Sequence, residues 1–440
     1  MSPMVLRAPV VAAVLSLCAA CASSQTPPSP RPSDAAVTAA ASEAPPPSPR
    51  PAALNAAPPA PAAPSPGFAA WREGFRARAL AAGVPSATFE AAFAGVTVNK
   101  TVLERDAFQP EFVRPIWEYL DSAVSATRIA NGRDNLASKR GTLAGIADRY
   151  GVDPEVVVAI WGLESAYGTY TGDIPVVEAL ATLAYEGRRR DFGEEQLLAA
   201  LRILAAGDVS PNRMRGSWAG AMGHTQFIPT SFLQYAVDHD GDGRRDLWSD
   251  DALDALASTA NYLSRFGWER GAPAAVEVRL PRGFDVALAD GRARPGADWA
   301  ARGVRAAVGG TPPPAAEAEL ILPAGANGPA FLTYRNFDVI KRYNNATSYA
   351  LAVVLLSDEL AGREGLQAAW PRSERPLSRS ETEEMQRRLT GLGFDTQGVD
   401  GIIGPATRSA VRGFQSSRGL PADGFASAAL LARLRAEGGG

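Results

Sequence analysis

Glu164 is the residue of this 440-residue chain whose surroundings argue most directly for chemistry. Asp153-Pro154-Glu155 has the make-up of a helix start, with Asp153 as N-cap and Pro154 at the first helical position, which fixes the phase of the helix after it. Val156, Ile160, Leu163 and Tyr167 then fall on one stripe. Glu164, four residues after Ile160 and eight after Val156, falls on or beside it. Burial raises a carboxyl pKa toward neutrality, and a carboxyl still protonated at neutral pH can deliver a proton to a leaving oxygen. Most helical glutamates are solvated, so position alone does not assign that role. Asp173 and Glu178 lie close enough in sequence to serve as a second carboxylate of a hydrolase. A Gly-Asp turn and a helix start after Pro175 are also places where acids act as caps.

Two further stretches could bind. In Gly216-Ser217-Trp218-Ala219-Gly220-Ala221-Met222-Gly223-His224-Thr225-Gln226-Phe227-Ile228-Pro229, small residues alternate with polar and aromatic ones. Backbone can approach a ligand closely there, Ser217 and Gln226 offer hydrogen bonds, and Trp218 or Phe227 offers a ring face. The competing reading is a tight Gly/Ala crossing that binds nothing. In Asp238-His239-Asp240-Gly241-Asp242-Gly243-Arg244, acids stand at positions 1, 3 and 5, Gly at 6 and a backbone carbonyl at 7, the first half of an EF-hand calcium loop. Ser249 stands at position 12 in place of the bidentate Glu, and an Asp/Gly turn without metal is the alternative.

The run Ala159-Ile160-Trp161-Gly162-Leu163-Glu164-Ser165-Ala166-Tyr167-Gly168 resembles the catalytic Glu-Ser motif of lytic transglycosylases, bacterial enzymes that cut the glycan strands of peptidoglycan. The Gly216–Pro229 block resembles the second motif of the membrane-bound lytic murein transglycosylase B family. Asn261-Tyr262, Arg342-Tyr343-Asn344 through Tyr349, and Tyr119 in Trp117-Glu118-Tyr119-Leu120 match further cleft positions, so the likeness covers roughly residues 68–370. It implies a lysozyme-like α+β catalytic domain that is mainly helical with a small inserted β region. It implies Glu164 as single general acid and base, with Tyr119, Ser217, Met222, Gln226, Phe227, Tyr262, Tyr343, Asn344 and Tyr349 against the sugar. Glu164 would protonate the oxygen leaving from N-acetylmuramic acid while the sugar's N-acetyl group stabilises the positive centre. It would then take the 6-hydroxyl proton as a 1,6-anhydro ring closes. No cofactor is needed for that chemistry. Calcium would be structural, held by Asp238, Asp240, Asp242 and the Arg244 carbonyl. The family's longer loop makes Asp254 the closing ligand, with Asp250 and Asp251 as rivals. A muramidase-type hydrolase and a non-catalytic wall-binding protein are the other readings.

A frame of helices must position these groups. Helical apolar spacing runs over Glu111–Ala130, Leu136–Tyr150, Asp153–Tyr167, Val176–Tyr185, Gly193–Ala206 and Tyr349–Leu360. Ala275–Leu280 and Glu319–Leu322 read as short strands inserted among them. Past Pro371-Arg372-Ser373-Glu374-Arg375-Pro376, Ser380 to Glu383 reads as a capping box, Gly404-Pro405 opens a second helix and a third follows Asp423-Gly424. Gly398-Val399-Asp400-Gly401 through Thr407, with Phe414-Gln415, Gly419-Leu420 and Asp423-Gly424, resembles the three-helix peptidoglycan-binding domain, over residues 377–436. A helical dimerisation cap is the plainer alternative. The expected division is therefore 1–21 leader, 22–66 linker, 67–370 catalytic domain and 377–436 binding domain.

Composition narrows the rest. With 44 Lys plus Arg against 47 Asp plus Glu there is no broad basic field, and no nucleic-acid partner is expected. The two cysteines, Cys18 and Cys21, leave the folded part without disulfides or thiol chemistry, and two histidines leave little for a Ser-His-Asp triad or a zinc centre. Ala8 to Ala20 is an uncharged stretch of secretory length after Arg7. Leu17-Cys18-Ala19-Ala20-Cys21 resembles a bacterial lipobox, with Cys18 where Leu is usual, so Cys21 is the expected lipidation site. Cleavage after the small triplet Ala20-Cys21-Ala22 is the alternative. The absence of Asp at residue 22 directs such a lipoprotein to the outer membrane, so the chain is expected to be exported, periplasmic and membrane-anchored. From Ala22 to Pro66 there are 14 prolines in 45 residues and almost no large apolar side chains, the composition of a disordered tether.

Overall fold

The computed structural model describes residues 67–108, 114–314 and 316–437. The leader, Cys21, the proline-rich segment and the first residues of the helix expected from Glu111 lie outside the described residues. The chain begins as α1 (Phe68–Ala81), α2 (Ser86–Ala92) and α3 (Lys100–Ala107), joined by an aromatic cluster in which the Phe89 and Phe93 rings stack at 4.3 Å. Where one helix was expected to end at Ala130 there are two, α4 (Ile116–Ala123) and α5 (Ala126–Ser138). Ser125 breaks the run because its hydroxyl accepts from the Arg128 N–H and starts a new helix. The segment expected from Leu136 is likewise split, with α6 at Arg140–Tyr150. Between the two helices Lys139 turns away to reach the Asp251 carbonyl at 2.8 Å.

Gly151, in the left-handed conformation, closes α6, and Pro154 opens α7 (Pro154–Ser165). The one-sided stripe expected here is too modest, because Val156 through Leu163 are all buried. The helix also stops two residues short of expectation. Ala166 and Tyr167 both adopt positive φ, 48° and 59°. Such conformations cost about 1–2 kcal/mol each for L-residues. Tyr167 offsets that by folding its ring back over the helix: a Cβ on Gly162 would lie 2.6 Å from this ring, and one on Gly132 2.4 Å from its hydroxyl. The Tyr167 hydroxyl donates to the Arg128 carbonyl at 2.7 Å, and the Arg128 guanidinium donates to the Gly162 carbonyl at 3.0 Å.

A two-residue β1 (Ile174–Pro175) leads into α8 (Val176–Glu186) and α9 (Arg190–Ala206), then pairs with β2 (Arg215–Gly216). α10 (Pro229–Tyr235) and α11 (Leu253–Arg265) flank the acidic loop. The β insertion holds β3 (Ala275–Arg279), β4 (Arg294–Pro295), α12 (Gly296–Ala301), β5 (Arg305–Ala306), β6 (Glu317–Ile321) and β7 (Ala330–Thr333). Its strands form an antiparallel sheet in the order β4-β6-β7-β3-β5. Trp299 anchors its separate core, donating its indole N–H to the Ala318 carbonyl at 2.9 Å. α13 (Arg335–Tyr343) and α14 (Thr347–Leu360) return to the helical body, where α14 packs along α7.

The last unit is α15 (Arg379–Gly391), α16 (Pro405–Ser417) and α17 (Ala428–Glu437) around Met385, Leu389, Val411, Phe414 and Leu431. Its capping box is Ser378 with Glu381, not Ser380 with Glu383. The Ser378 hydroxyl accepts from the Glu381 N–H and the Glu381 carboxylate accepts from the Ser378 N–H. Arg375 grips that same carboxylate through two bonds of 2.7 Å, which selects the earlier register. The expected class, a mainly helical α+β body with a small β insertion and a three-helix C-terminal unit, is borne out.

Candidate active site

Glu164 occupies the penultimate position of α7, half-buried after the buried run Val156–Leu163. Burial pushes its carboxyl up to about 7, against the opposing effect of a hydrogen bond from Tyr349. The Tyr349 hydroxyl, on the first turn of α14, donates to Oε1 at 2.6 Å. With Oε1 engaged as acceptor, Oε2 is the oxygen left to carry the proton. Tyr119 on α4 and Tyr343 at the end of α13 lie near enough for the Glu164 charge to raise their own pKa values, after the larger effect of burial. Three tyrosines from three helices therefore surround one acid.

No carboxylate among the described residues is a source of the Glu164 shift. Asp173 is exposed, and Glu178 accepts a 2.6 Å bond from the Asn99 amide, which ties α8 to the start of α3. Neither is arranged as the second acid of a hydrolase.

The glycine-rich block lies beside Glu164 and divides into two sets. Ser217 is half-buried, and its oxygen accepts from the Ala221 N–H at 3.0 Å, leaving the hydroxyl proton for a ligand. Gln226, at φ 53°, donates its amide to the Thr171 and Gly223 carbonyls, so its side-chain oxygen is the group left to accept. Met222 and Phe227 are fully packed into the core, and the Tyr262 hydroxyl is committed to the Arg342 carbonyl. These three shape the floor on which Tyr343 rests: the Tyr343 ring meets Phe227 at 5.8 Å and Tyr262 at 5.1 Å. Trp218 is buried as well, with the Arg189 guanidinium 5.8 Å from its ring, so it offers no open face. Asn344 is half-buried and caps the following turn by accepting from the Ala346 N–H.

The acidic loop gathers Asp238, Asp240 and Asp242, with one carboxylate oxygen of each within 4.8 Å of the others. Their remaining bonds shape the loop: Asp238 accepts from the Gly241 and Gly243 N–H groups, Asp240 from Asp242 and Asp242 from Arg244. Hard oxygen donors at this spacing fit calcium. Asp254 stands outside the trio, with both oxygens on backbone: it accepts from His239 at 2.8 Å and from Asp246 at 2.9 Å. Its carboxyl is pushed up to about 6, burial being the main cause. In this arrangement Asp254 braces the two ends of the loop.

Three residues assigned no site role from the sequence complete the site: Tyr167, Arg128 and His224, which pack against or hydrogen-bond to α7. The signal that could have found them is the glycines at 132, 162 and 168, whose absent side chains make room for the Tyr167 and His224 rings.

The family model described as "Transglycosylase SLT domain" matches residues 67–358, and that described as "Putative peptidoglycan binding domain" matches residues 378–434. The chain is 36% identical over 223 residues to membrane-bound lytic murein transglycosylase B of Escherichia coli (strain K12), a match covering 48% of this chain. It spans 58% of that relative's length. Among solved structures it is similar to SltB3 from Pseudomonas aeruginosa in complex with NAG-anhNAM-pentapeptide, at 51% identity and a TM-score of 0.82, covering 84% of this chain and 100% of that one. It is also similar to the Escherichia coli lytic transglycosylase Slt35 in complex with calcium, at 29% identity and a TM-score of 0.56, covering 66% and 92% of the two chains.

Proposed function

Because the chain belongs to the transglycosylase SLT domain family, we propose that it is a lytic transglycosylase of peptidoglycan that cleaves the MurNAc–GlcNAc β-1,4 bond and leaves 1,6-anhydro-MurNAc ends. The observation that carries this reading is the solitary, raised carboxyl of Glu164 with Tyr349 on one oxygen. At neutral pH a large fraction of Glu164 is protonated and gives its proton to the departing glycosidic oxygen. The N-acetyl group of the substrate stabilises the positive centre that forms, a role it takes in substrate-assisted glycosidases. Ionised Glu164 then accepts the proton of the 6-hydroxyl as that oxygen closes on the anomeric carbon. The proton count is restored and no water enters. A water-activating partner, which a hydrolase would need, finds no support in the exposed Asp173 or the engaged Glu178.

Around this centre Tyr119, Ser217, Gln226, Tyr343, Asn344 and Tyr349 are the groups assigned to sugar contacts, with Met222, Phe227 and Tyr262 as the floor beneath them. Calcium belongs to the acidic loop, on Asp238, Asp240, Asp242 and the Arg244 carbonyl, where it would neutralise three converging charges and hold the loop in shape. The C-terminal unit holds the enzyme on its insoluble substrate, and lipidation at Cys21 anchors it to the outer membrane facing the wall. Detergent partitioning of wild type against Cys21→Ala tests the anchor, and loss of partitioning in the variant is expected.

The primary test is mass spectrometry of fragments released from purified peptidoglycan by wild type and by Glu164→Gln. Products one water lighter than reducing ends, absent with the variant, are expected. Reducing-end products would mean a hydrolase. No products from either protein would leave a wall-binding protein, and anhydro-ended products that persist with Glu164→Gln would remove Glu164 from the catalytic role.

A further inference from the structure

One residue of the glycine-rich block packs against the helix that bears Glu164. His224 is 8% exposed. The Trp161 indole N–H donates to His224 Nδ1 at 3.1 Å, so Nδ1 carries no proton and the neutral ring must be protonated at Nε2. The main chain of His224 makes two more ties. Its N–H donates to the Leu247 carbonyl at 2.9 Å, and its carbonyl accepts from the Ser165 hydroxyl at 2.5 Å. The Ser165 oxygen in turn accepts from the Gly168 N–H at 2.9 Å. The ring even dictates the glycine of the Glu-Ser motif: a Cβ on Gly168 would lie 2.4 Å from His224 Cε1.

These bonds connect specific places. Trp161 is three residues before Glu164 and Ser165 is the residue after it, while Leu247 and Ser249 form the exit of the acidic loop, between Asp242 and Asp254. We propose that His224 is a positioning residue for Glu164, held as the Nε2–H tautomer by the Trp161 indole and tied through its main chain to the backbone of the acidic loop, so that the loop sets where the general acid stands. This inference rests on the transglycosylase reading of Glu164. Burial favours the neutral ring, and Lys139, whose ammonium lies 5.9 Å from the Trp161 ring, acts in the same direction. The Ser249 backbone first, then Asp250 and Asp251 at the entrance to α11, oppose them. A doubly protonated ring would set an N–H against the Trp161 N–H, so the geometry itself requires the neutral form.

Two histidines in the whole chain make the tautomer directly readable. In full-length protein labelled with 15N-histidine, with His239→Gln to assign the pair, His224 should give one unprotonated and one protonated ring nitrogen, and Trp161→Phe should move the unprotonated signal. In turnover of purified peptidoglycan, Trp161→Phe and His224→Gln should each lower kcat by about 10- to 100-fold with little change in KM, as expected when a supporting group is lost and the acid shifts within its site. Their double variant should be no worse than either alone, because the two remove one bond. His224→Asn, whose amide oxygen can stand where Nδ1 stood and accept from Trp161, should recover most of the loss, whereas a merely structural role would give no such rescue. A protonated Nδ1, or unchanged kcat in folded His224→Gln, would overturn the proposal. Wild type releasing no anhydro-ended product would instead overturn the activity reading, and the nitrogen spectra would still decide the tautomer.

Discussion

At the scale of single residues, Glu164 couples activity to stability through one proton. Its folded pKa of about 7 stands above the 4.5 of an unperturbed glutamate. The folded state therefore binds the proton more tightly than the unfolded state. The stabilisation from that proton is complete below the unfolded pKa and is lost as pH rises through about 7. Glu164→Gln, which cannot ionise, should then be more stable than wild type at pH 8, by on the order of 2–3 kcal/mol and by less if water screens the cleft, with the gap shrinking toward pH 5. Urea unfolding at the two pH values measures this, and an equal gap at both would contradict it. The rate should fall on the alkaline side through the same pKa, since only the protonated acid can serve the leaving oxygen. Glu164 was legible because Asp153-Pro154 sets the helix phase and a carboxylate on that phase conflicts with burial. His224 was not legible. Its role depends on Trp161 and Leu247, residues brought to it from 63 positions upstream and 23 downstream, and nothing in local spacing announces such a bond.

At the scale of elements, the decisive event is the end of α7. Periodicity continues through Tyr167, so the sequence reads as helix there, but the ring gains more from the glycine notches at 132 and 162 than from another helical turn. Tyr167→Ala should cost about 3 kcal/mol by emptying those notches. It should lower activity too, because the two residues after Ser165 would lose the reason for their left-handed backbone. Chemical denaturation and turnover measure the two effects, and a loss far below that figure would mean the ring is not the wedge. The acidic loop behaves differently, since its conformation is already written in Asx-type bonds from Asp238, Asp240 and Asp242. Calcium at about 100 times its Kd should add about 2.7 kcal/mol of stability. Calorimetry with calcium against chelator should therefore show a higher Tm for wild type and no such rise for Asp240→Ala. The small strands were the least legible elements. Arg294–Pro295 and Arg305–Ala306 are two residues each, too short for any alternation, and they are strands only because β6 and β3 offer them edges. A proline in β4 is tolerated because that strand is the outermost of its sheet.

At the scale of the whole molecule, the linker to the C-terminal unit is fastened along its length. Arg372 grips Asp121 of α4 through two bonds of 2.7 and 2.8 Å, and the N–H groups of Gln367 and Ala368 donate to the Glu277 carboxylate of β3. The unit itself touches the β insertion: Asp423 accepts from the Ala326 N–H at 2.9 Å, and a Cβ on Gly325 would lie 2.9 Å from Phe425. From the sequence, Pro371 to Pro376 reads as a plain boundary, because the partners that pin it lie about 250 residues earlier or in a different fold unit. Gly325→Val, which alters only the body's side, should push the unit off without unfolding it and should speed proteolytic nicking within 371–376. Unchanged nicking would show that the contact does not hold the unit in place.

A murein strand is a periodic object, and a tool that grips such an object at one fixed point and cuts it at another acts as a gauge. While Asp423 stays seated on Ala326, the separation between grip and blade is fixed, and fragment lengths should then cluster at particular numbers of disaccharides. Gly325→Val, by freeing the grip, should flatten that distribution while leaving every fragment with the same chemical end.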